Sequence, residues 1–268
     1  MASRPWRIAA ISLGVALTLW TWALVGVTFA LRWSSVERPG PPLKELFPYG
    51  EMRIGVDASY PPFAVATADD LFGLDIDLGK ALGERLKVPV RFVNMGFDGL
   101  YDSLKADQVD VVISALLVDP SKTGDVRYTF AYYDAGLVLV RNANSPIQSM
   151  NDLSGHALAY EFGSEADIVA RTWLRRISAF DTRPYELPEY ALEAVQLGQA
   201  DAALTDSTSA RLYLRAHPEW RATYTYVTHS FYAIAVRVDR GRTWDAVNHA
   251  LQSLLDDGTL TKIISQWL

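Results

Sequence analysis

Apolar segments of strand length, separated by helical patterns, constrain the fold of this chain more than any other feature of its sequence. Residues 109–114, Val-Asp-Val-Val-Ile-Ser, form a nearly continuous apolar segment of the kind that is buried in parallel sheets. Two earlier strands are predicted around Ile54 and at 88–93, and amphipathic helices are predicted at 74–86 and 97–106. The resulting order β-α-β-α-β requires parallel strands joined by right-handed crossovers.

The second half of the chain repeats this plan without obvious sequence identity. A short apolar strand ends in a polar residue in both halves, at Ser114 and at Asp206. We therefore predict two similar α/β lobes with a ligand cleft between them, because clefts at domain interfaces favour small ligands. The predicted elements of this half are strands at 137–141, 157–160, near Arg183, 202–205 and 231–238, with helices at 168–176, 188–198, 244–255 and 260–267.

The segment that follows the first strand carries an acid and two aromatic residues. Asp57 falls at the carboxyl end of the strand, and Pro61 and Pro62 stop it because proline has no backbone N–H. The chain is expected to stay extended, with Asp57, Tyr60 and Phe63 at its tip. Ligands bind beyond the carboxyl ends of strands in open α/β sheets, so this tip suits a small polar or cationic ligand. The alternative is a turn-capping aspartate with two packing aromatics.

Composition excludes several classes of function. The chain of 268 residues has no cysteine, which excludes disulfides, a thiolate nucleophile and a lipoprotein anchor. Its four histidines lack the spacing of a metal site, and it has no glycine-rich phosphate loop. A formal net charge of -6 argues against binding to nucleic acid. We expect no cofactor and no metal.

The N-terminal segment is predicted to cross a membrane. Residues 8–31 contain no charged side chain and are long enough to span a bilayer as a helix, and Arg4 and Arg7 precede them. A retained anchor and a cleaved signal are the two interpretations, and the length of the apolar run favours the anchor. Both place the rest of the chain outside the cytoplasm. Residues 32–50, which include a stiff proline-rich stretch, are predicted to be a linker, with the folded domain beginning near Glu51.

From about Glu51 to Leu268 the chain resembles the family 3 extracellular solute-binding proteins, the periplasmic type that binds amino acids. The motifs that carry the resemblance are Arg-Ile-Gly-Val-Asp at 53–57, Tyr-Pro-Pro-Phe at 60–63, Gly-Leu-Asp-Ile-Asp-Leu at 73–78, Phe-Asp-Gly-Leu at 97–100, Val-Asp-Val-Val-Ile-Ser at 109–114, Tyr-Asp-Ala-Gly-Leu at 133–137, Asp-Ala-Ala-Leu-Thr-Asp at 201–206 and Asp-Gly-Thr at 257–259. Their order along the chain is that of the family.

The resemblance implies a two-lobe periplasmic-binding-protein fold of type II. Lobe 1 is expected to comprise residues 51–134 and 231–268, and lobe 2 residues 135–230. Two crossing strands would join the lobes, which would close on the ligand by a hinge motion.

The resemblance also implies ligand contacts in both lobes. Asp57 and Asp206 match the acids that hold the α-amino group of the ligand, where a carboxylate forms charge-assisted hydrogen bonds with an ammonium. Tyr60 and Phe97 match the aromatics that enclose the ligand side chain, and a cation would also gain from their ring faces.

Further implied contacts are a hydroxyl and a helix start. Ser114 matches a hydroxyl of the cleft, and the neighbouring Ala115 belongs to the same predicted set. Gly163 and Ser164 match a turn whose backbone N–H groups, at the start of a helix, can receive a carboxylate.

The departures from the family pattern concern the ligand carboxylate. Lys122 stands where the family has an arginine, and it keeps the charge without the two-pronged geometry. Leu117 replaces a hydroxyl residue, and Glu165 replaces the threonine of the carboxylate-binding turn. One interpretation is an amino-acid receptor with a solvated Glu165 at a helix start. The other is a receptor for a ligand without an α-carboxylate, such as an amine.

The sequence favours a binding protein over an enzyme. We expect it to capture a small polar solute, an amino acid or an amine, and deliver it to the permease of an ABC importer. One alternative is an enzyme like the dehydratases of prephenate-type acids, which carry a carboxylic acid near the cleft turn. Glu165 lies close to that position, but the dehydratase pattern places the acid where this chain has Ala166. The other alternative is a sensory ectodomain that signals through a partner.

Overall fold

The structure, a computed structural model, describes residues 43–268. The predicted membrane segment at 8–31 and most of the predicted linker lie outside the described residues. Among the helices of residues 43–268, none is both long enough and apolar enough to cross a membrane.

The first sheet has five strands in the order β5-β1-β6-β13-β7. Strand β1 pairs in parallel with β5 and β6, as predicted from the β-α-β-α-β order, and β13 pairs antiparallel with β6 and β7. The strands are β1 (Met52–Val56), β5 (Val90–Asn94), β6 (Val111–Val112), β7 (Val126–Asp134) and β13 (Phe231–Arg237).

The second sheet repeats the arrangement with the order β10-β9-β11-β8-β12. Strand β9 is parallel to β10 and β11, and β8 is antiparallel to β11 and β12. The strands are β8 (Leu137–Asn142), β9 (Ala157–Glu161), β10 (Asp181–Tyr185), β11 (Ala202–Asp206) and β12 (Ala222–Tyr226). Two α/β lobes result, each with its own sheet.

Helices cover both faces of each sheet. In the first lobe α2, α7 and α8 pack on one face and α3 on the other, and in the second lobe α4 packs on one face and α5 and α6 on the other. The helices are α1 (Leu43–Leu46), α2 (Leu74–Leu86), α3 (Leu100–Lys105), α4 (Glu165–Trp173), α5 (Pro188–Gln196), α6 (Ser207–Ala216), α7 (Gly241–Asp256) and α8 (Thr259–Trp267).

Two chain segments run between the sheets, and they are hydrogen-bonded to each other. One connects β7 to β8, and the other connects β12 to β13. The N–H of Ala135 donates to the carbonyl of Ser230 at 2.7 Å, and the N–H of Val227 donates to the carbonyl of Leu137 at 2.8 Å. The pairing couples the two connections, so the lobes are held by a double crossing.

Two regions differ from the sequence predictions. The end of the predicted linker is part of the folded unit, because α1 buries Leu46 and its neighbour Phe47 is wholly inaccessible in the core of the first lobe. The segment after β1 does not run on as one extended stretch. It turns back on itself and forms a three-stranded sheet of β2 (Ser59–Tyr60), β3 (Ala64–Ala66) and β4 (Leu71–Phe72). Phe63 is buried beneath this sheet instead of lying at the tip, because it packs against Tyr133 and Tyr232.

Candidate ligand cleft

Asp57 lies at the carboxyl end of β1, and its carboxylate is already engaged within the first lobe. One oxygen accepts the N–H of Ser59 at 3.0 Å and the hydroxyl of Ser59 at 2.7 Å, and the other accepts the N–H of Phe97 at 3.0 Å. A carboxylate has about four acceptor positions. Asp57 therefore fixes the positions of Ser59 and Phe97 and keeps room for about one further donor.

The aromatic residues of the first lobe form an exposed surface above a buried base. Tyr60 is 50% exposed and stacks on Phe63, with ring centroids 5.5 Å apart. Phe97 is 47% exposed and opens a short 3-10 helix that leads into α3. Both predicted aromatic contacts thus offer a free ring face, which is what stacking on a ligand requires.

Phe97, Leu117 and Lys122 line one pocket of about 530 Å³. Tyr101, one helical turn after Phe97, lies in the same pocket, and the ammonium of Lys122 is 5.4 Å from the centroid of its ring. Leu117 is half exposed and pairs with Tyr232 through an isolated β-bridge. The structure therefore brings together three side chains, of which the first, Phe97, and the last, Lys122, are 25 positions apart in the sequence.

Ser114 and Ala115 are buried, and their polar groups are used inside the lobe. The Ser114 oxygen accepts the N–H of Asp57 at 2.9 Å. The Ala115 N–H donates to the carboxylate of Asp75 at 2.7 Å, and Ala115 has a left-handed backbone with φ of 43°. Both residues hold the end of β6 in place, and Ser114 is only 5% exposed.

The turn before α4 presents backbone donors. Gly163 has φ of 76°, which only glycine adopts without strain, and its N–H donates to Asp167 at 3.1 Å. Ser164 caps the helix by accepting the N–H of Ala166 at 3.1 Å. Within residues 43–268 the N–H groups of Ser164 and Glu165 have no hydrogen-bond acceptor. Two donors at a helix start are thus free for an anionic group.

Acidic side chains end the two neighbouring parallel strands of the second lobe. Asp206 ends β11 and caps α6 by accepting the N–H of Ser209 at 2.9 Å. Glu161 ends β9, next to β11 in the sheet. Burial raises the pKa of Glu161, and the charges of Asp206 and Glu189 raise it further. Within the described part of the chain, no lysine, arginine or histidine lies within salt-bridge distance of Glu161 or Asp206.

Tyr232 neighbours both an aromatic residue of the first lobe, Tyr60, and an acid of the second lobe, Asp206. Its pKa is raised mainly by burial, and also by the neighbouring Tyr60 and Asp206. Because Tyr60 belongs to the first lobe and Asp206 to the second, Tyr232 marks where the two lobes approach each other. Ser207 reinforces the approach, since its hydroxyl donates to the carbonyl of Asp134 at 2.6 Å.

Three candidate residues were not predicted from the sequence. Tyr101 follows Phe97 at helical spacing, and Glu161 is a polar residue at the end of an apolar strand, the same signal that led to Asp206. Tyr232 lies at the start of an alternating strand, and nothing in the sequence separates it from a packing aromatic.

Comparison with known proteins gives a family match that covers nearly all described residues. The sequence profile of the bacterial extracellular solute-binding proteins, family 3, matches residues 52–268. The ABC transporter arginine-binding protein 1 of Escherichia coli is 29% identical over 223 residues, which cover 81% of this chain and 90% of the relative. The lysine/arginine/ornithine-binding periplasmic protein of Escherichia coli is 30% identical over 227 residues, with coverages of 81% and 86%.

Solved structures agree with the two-lobe architecture. The L-cystine solute receptor of Neisseria gonorrhoeae, in its unliganded open conformation, aligns with a TM-score of 0.73 at 24% identity, covering 85% of this chain and 96% of the receptor. An ancestral cationic amino acid solute-binding protein aligns with a TM-score of 0.63 at 28% identity, covering 85% of this chain and 99% of that protein.

Proposed function

The chain belongs to the bacterial extracellular solute-binding proteins of family 3, and from this premise we propose that it binds a cationic amino acid outside the cytoplasm for delivery to an ABC importer. Relatives named for arginine, or for lysine, arginine and ornithine, support an amino-acid ligand with a basic side chain. The family is non-enzymatic, so the activity consists of binding and release.

The proposed ligand lies between the lobes, which we assign to residues 51–134 with 231–268 and to residues 135–230. The strands of the two sheets support this division, with the addition of residues 43–50 to the first lobe. Asp57, Tyr60 and Phe97 would meet the ligand from the first lobe. Ser114, Ala115, Leu117, Lys122, Gly163, Ser164, Glu165 and Asp206 complete the proposed set.

The acidic edge of the second lobe is the observation that carries the proposal. Asp206 and Glu161 lie at adjacent strand ends without a cationic partner among the described residues. Like charges that are partly desolvated repel each other, and a bound cation relieves this repulsion. An arginine or lysine ligand brings two positive charges for these acids and one carboxylate for Lys122 and the free N–H groups of Ser164 and Glu165.

A set of four probes tests the proposal on the full-length protein. L-arginine and L-lysine are compared by calorimetry with citrulline, which lacks the side-chain charge, and with agmatine, which is arginine without its carboxylate. We expect arginine to bind at least about ten-fold more tightly than citrulline and than agmatine, which corresponds to about 1.4 kcal/mol for each lost interaction. Agmatine binding as tightly as arginine would instead favour an amine receptor, in which Glu165 contacts the ligand.

Glu161→Gln identifies the acid responsible for the preference. The substitution should weaken arginine binding by about 1.5–3 kcal/mol, the scale of a hydrogen bond to a charged group, and leave citrulline binding nearly unchanged. Glu219→Gln is the matched control, because Glu219 is exposed and lies beside Gln196 and His217. Equal losses for arginine and citrulline would exclude a contact of Glu161 with the side-chain cation.

A further inference from the structure

A buried acid lies behind the cleft without touching it. Asp75, in the first turn of α2, is completely inaccessible to solvent. Its two carboxylate oxygens accept hydrogen bonds from the N–H of Ala115 at 2.7 Å and from the hydroxyl of Tyr132 at 2.7 Å. Within residues 43–268 no lysine, arginine or histidine forms an ion pair with Asp75.

Burying a carboxylate without a cationic partner costs free energy, so the burial of Asp75 calls for an explanation. Ala115 supplies one, because its φ of 43° lies in the left-handed region that disfavours every residue except glycine. The Ala115 N–H points inward in this conformation and meets Asp75, with the Tyr132 hydroxyl at 3.1 Å as a second acceptor. A charged acceptor makes a stronger bond than a neutral one, and it therefore holds this turn more firmly.

The turn at Ala115 determines where the neighbouring cleft residues lie. Ser114, directly before it, accepts the N–H of Asp57 at 2.9 Å. After it the chain leaves β6, so that Leu117 reaches Tyr232 and the pocket that also contains Lys122. A shift at Ala115 would move groups on both sides of the turn.

We propose that Asp75 is a positioning residue for the ligand cleft, whose charged carboxylate fixes the left-handed turn at Ala115 and makes ligand affinity depend on its protonation. The proposal rests on the proposed function, since the affinity concerned is that for the amino acid. Burial raises the pKa of Asp75 to about 7, although the bonds from Tyr132 and Ala115 lower it. Tyr132 is the titratable group that faces Asp75, and Tyr232 is the next one beyond it.

The first test requires no ligand. Amide hydrogen exchange at Ala115 is measured in the full-length protein and in Asp75→Asn, which keeps the shape of the side chain and removes its charge. We expect at least about five-fold faster exchange in Asp75→Asn at pH 8, because a neutral acceptor holds the N–H less firmly. Unchanged exchange would overturn the positioning role, whatever the ligand is.

The second test is the pH profile of L-arginine affinity between pH 5.5 and 8. In the unsubstituted protein, affinity should fall about five-fold more on acidification than it does in Asp75→Asn, because only the former loses a charge at this site. Identical profiles would overturn the proposal. If neither protein binds arginine at pH 8, the proposed function fails, and the exchange experiment still decides the role of Asp75.

Two further variants separate positioning from general stability. Asp110→Asn is the matched control: Asp110 is also buried, but it pairs with Arg53 at 2.9 Å, so its loss should lower stability without changing the pH profile. Tyr132→Phe removes the other donor to Asp75 and keeps the Ala115 bond, so the midpoint of the pH profile should move to higher pH. Tyr132→Phe remains informative if Asp75→Asn does not fold, and an unmoved midpoint would contradict the assignment to Asp75.

Discussion

Single residues of the cleft differ in how much of their bonding capacity is already used. Asp57 and Ser114 are engaged with neighbours in their own lobe, and they hold backbone in place. Glu161 and Asp206 end adjacent strands, and neither has a counter-ion among residues 43–268. We expect Glu161 and Asp206 to contribute most to the free energy of binding, because a cationic ligand supplies the positive charge that the fold does not provide.

The aromatic surface gives the first residue-scale prediction. Tyr60→Ala and Phe97→Ala should each weaken ligand binding by about 1–3 kcal/mol, from lost stacking and lost apolar contact. Both rings are about half exposed, so the free energy of unfolding should barely change. Calorimetry and denaturant unfolding measure the two quantities. Tyr49→Ala is the control, since Tyr49 is an exposed aromatic that lies over Arg53. Unchanged affinity in both variants would remove these rings from the site.

Lys122 and Glu165 give the second residue-scale prediction. If Lys122 meets the ligand carboxylate, Lys122→Ala should cost about 1.5–3 kcal/mol of binding free energy. Glu165→Thr should tighten binding, because it removes a negative charge beside the free N–H groups at the start of α4. For an amine ligand the sign for Glu165 reverses. Calorimetry with L-arginine decides, and lost binding in Glu165→Thr with binding kept in Lys122→Ala would overturn the amino-acid assignment.

The pH dependence of stability gives a third prediction at a single residue. The pKa of Asp75 is raised in the folded protein to about 7, above an ordinary value of 3.8. The folded state therefore binds a proton that the unfolded state has released, and the free energy of unfolding falls as pH rises from about 4 to about 7. Asp75→Asn should flatten this part of the profile in denaturant titrations. An equally steep fall in Asp75→Asn would assign it to other groups.

Elements with a clear hydrophobic period were predicted well from the sequence, and elements without one were missed. The helix predicted at 74–86 is observed as α2 because its apolar residues repeat at helical spacing. Strand β7 was not predicted, since aromatic residues fill both of its faces and its register with β13 shifts twice. Helix α6 begins directly after β11 with three hydroxyl residues, which resemble a loop.

The site was predictable where it follows the ends of strands and not where it depends on packing. Asp57 and Asp206 end apolar strands, so local sequence indicates them. Phe63 occupies the same local pattern as Tyr60, yet it is buried by Tyr133 and Tyr232, which come from distant parts of the chain. Only the assembled fold distinguishes the two aromatics, because their exposure is set by long-range contacts.

The double crossing between the lobes gives a prediction at the scale of elements. A Cβ on Gly136 would clash with the carbonyl oxygen of Thr228 and would lie 2.7 Å from the Cα of His229. Gly136→Ala therefore forces the two connections apart and should destabilise the protein by about 1–3 kcal/mol in denaturant unfolding, on the scale of overpacking. Gly124→Ala is the control, since its Cβ would meet no atom within 4 Å. Equal effects of the two substitutions would contradict the close approach.

At the scale of the whole molecule, the folded unit begins near residue 43, a short distance along the sequence after the predicted membrane segment at 8–31. Leu46 and Phe47 are packed into the core of the first lobe, so the spacer available after residue 31 ends near residue 42. A chain of this length spans at most about 40 Å when fully extended. If the segment at 8–31 is retained as an anchor, this tether would present the receptor to an importer in the same membrane at a high effective concentration.

The last prediction is that the N-terminal segment is retained as an anchor. We expect the mature protein to keep residues 8–31 and to sediment with membranes, because the apolar run is longer than the core of an ordinary signal peptide. The intact mass of the protein purified from its native membrane measures this directly. A mature N-terminus near Leu31 would show a cleaved signal and a freely diffusing receptor, whose delivery of ligand would then depend on its concentration. A variant that begins at residue 32 behind a cleavable signal is the control. It should remain in the soluble fraction, because it lacks the apolar segment. It should bind arginine as tightly as the intact protein, because the contacts proposed for the ligand all lie beyond residue 56.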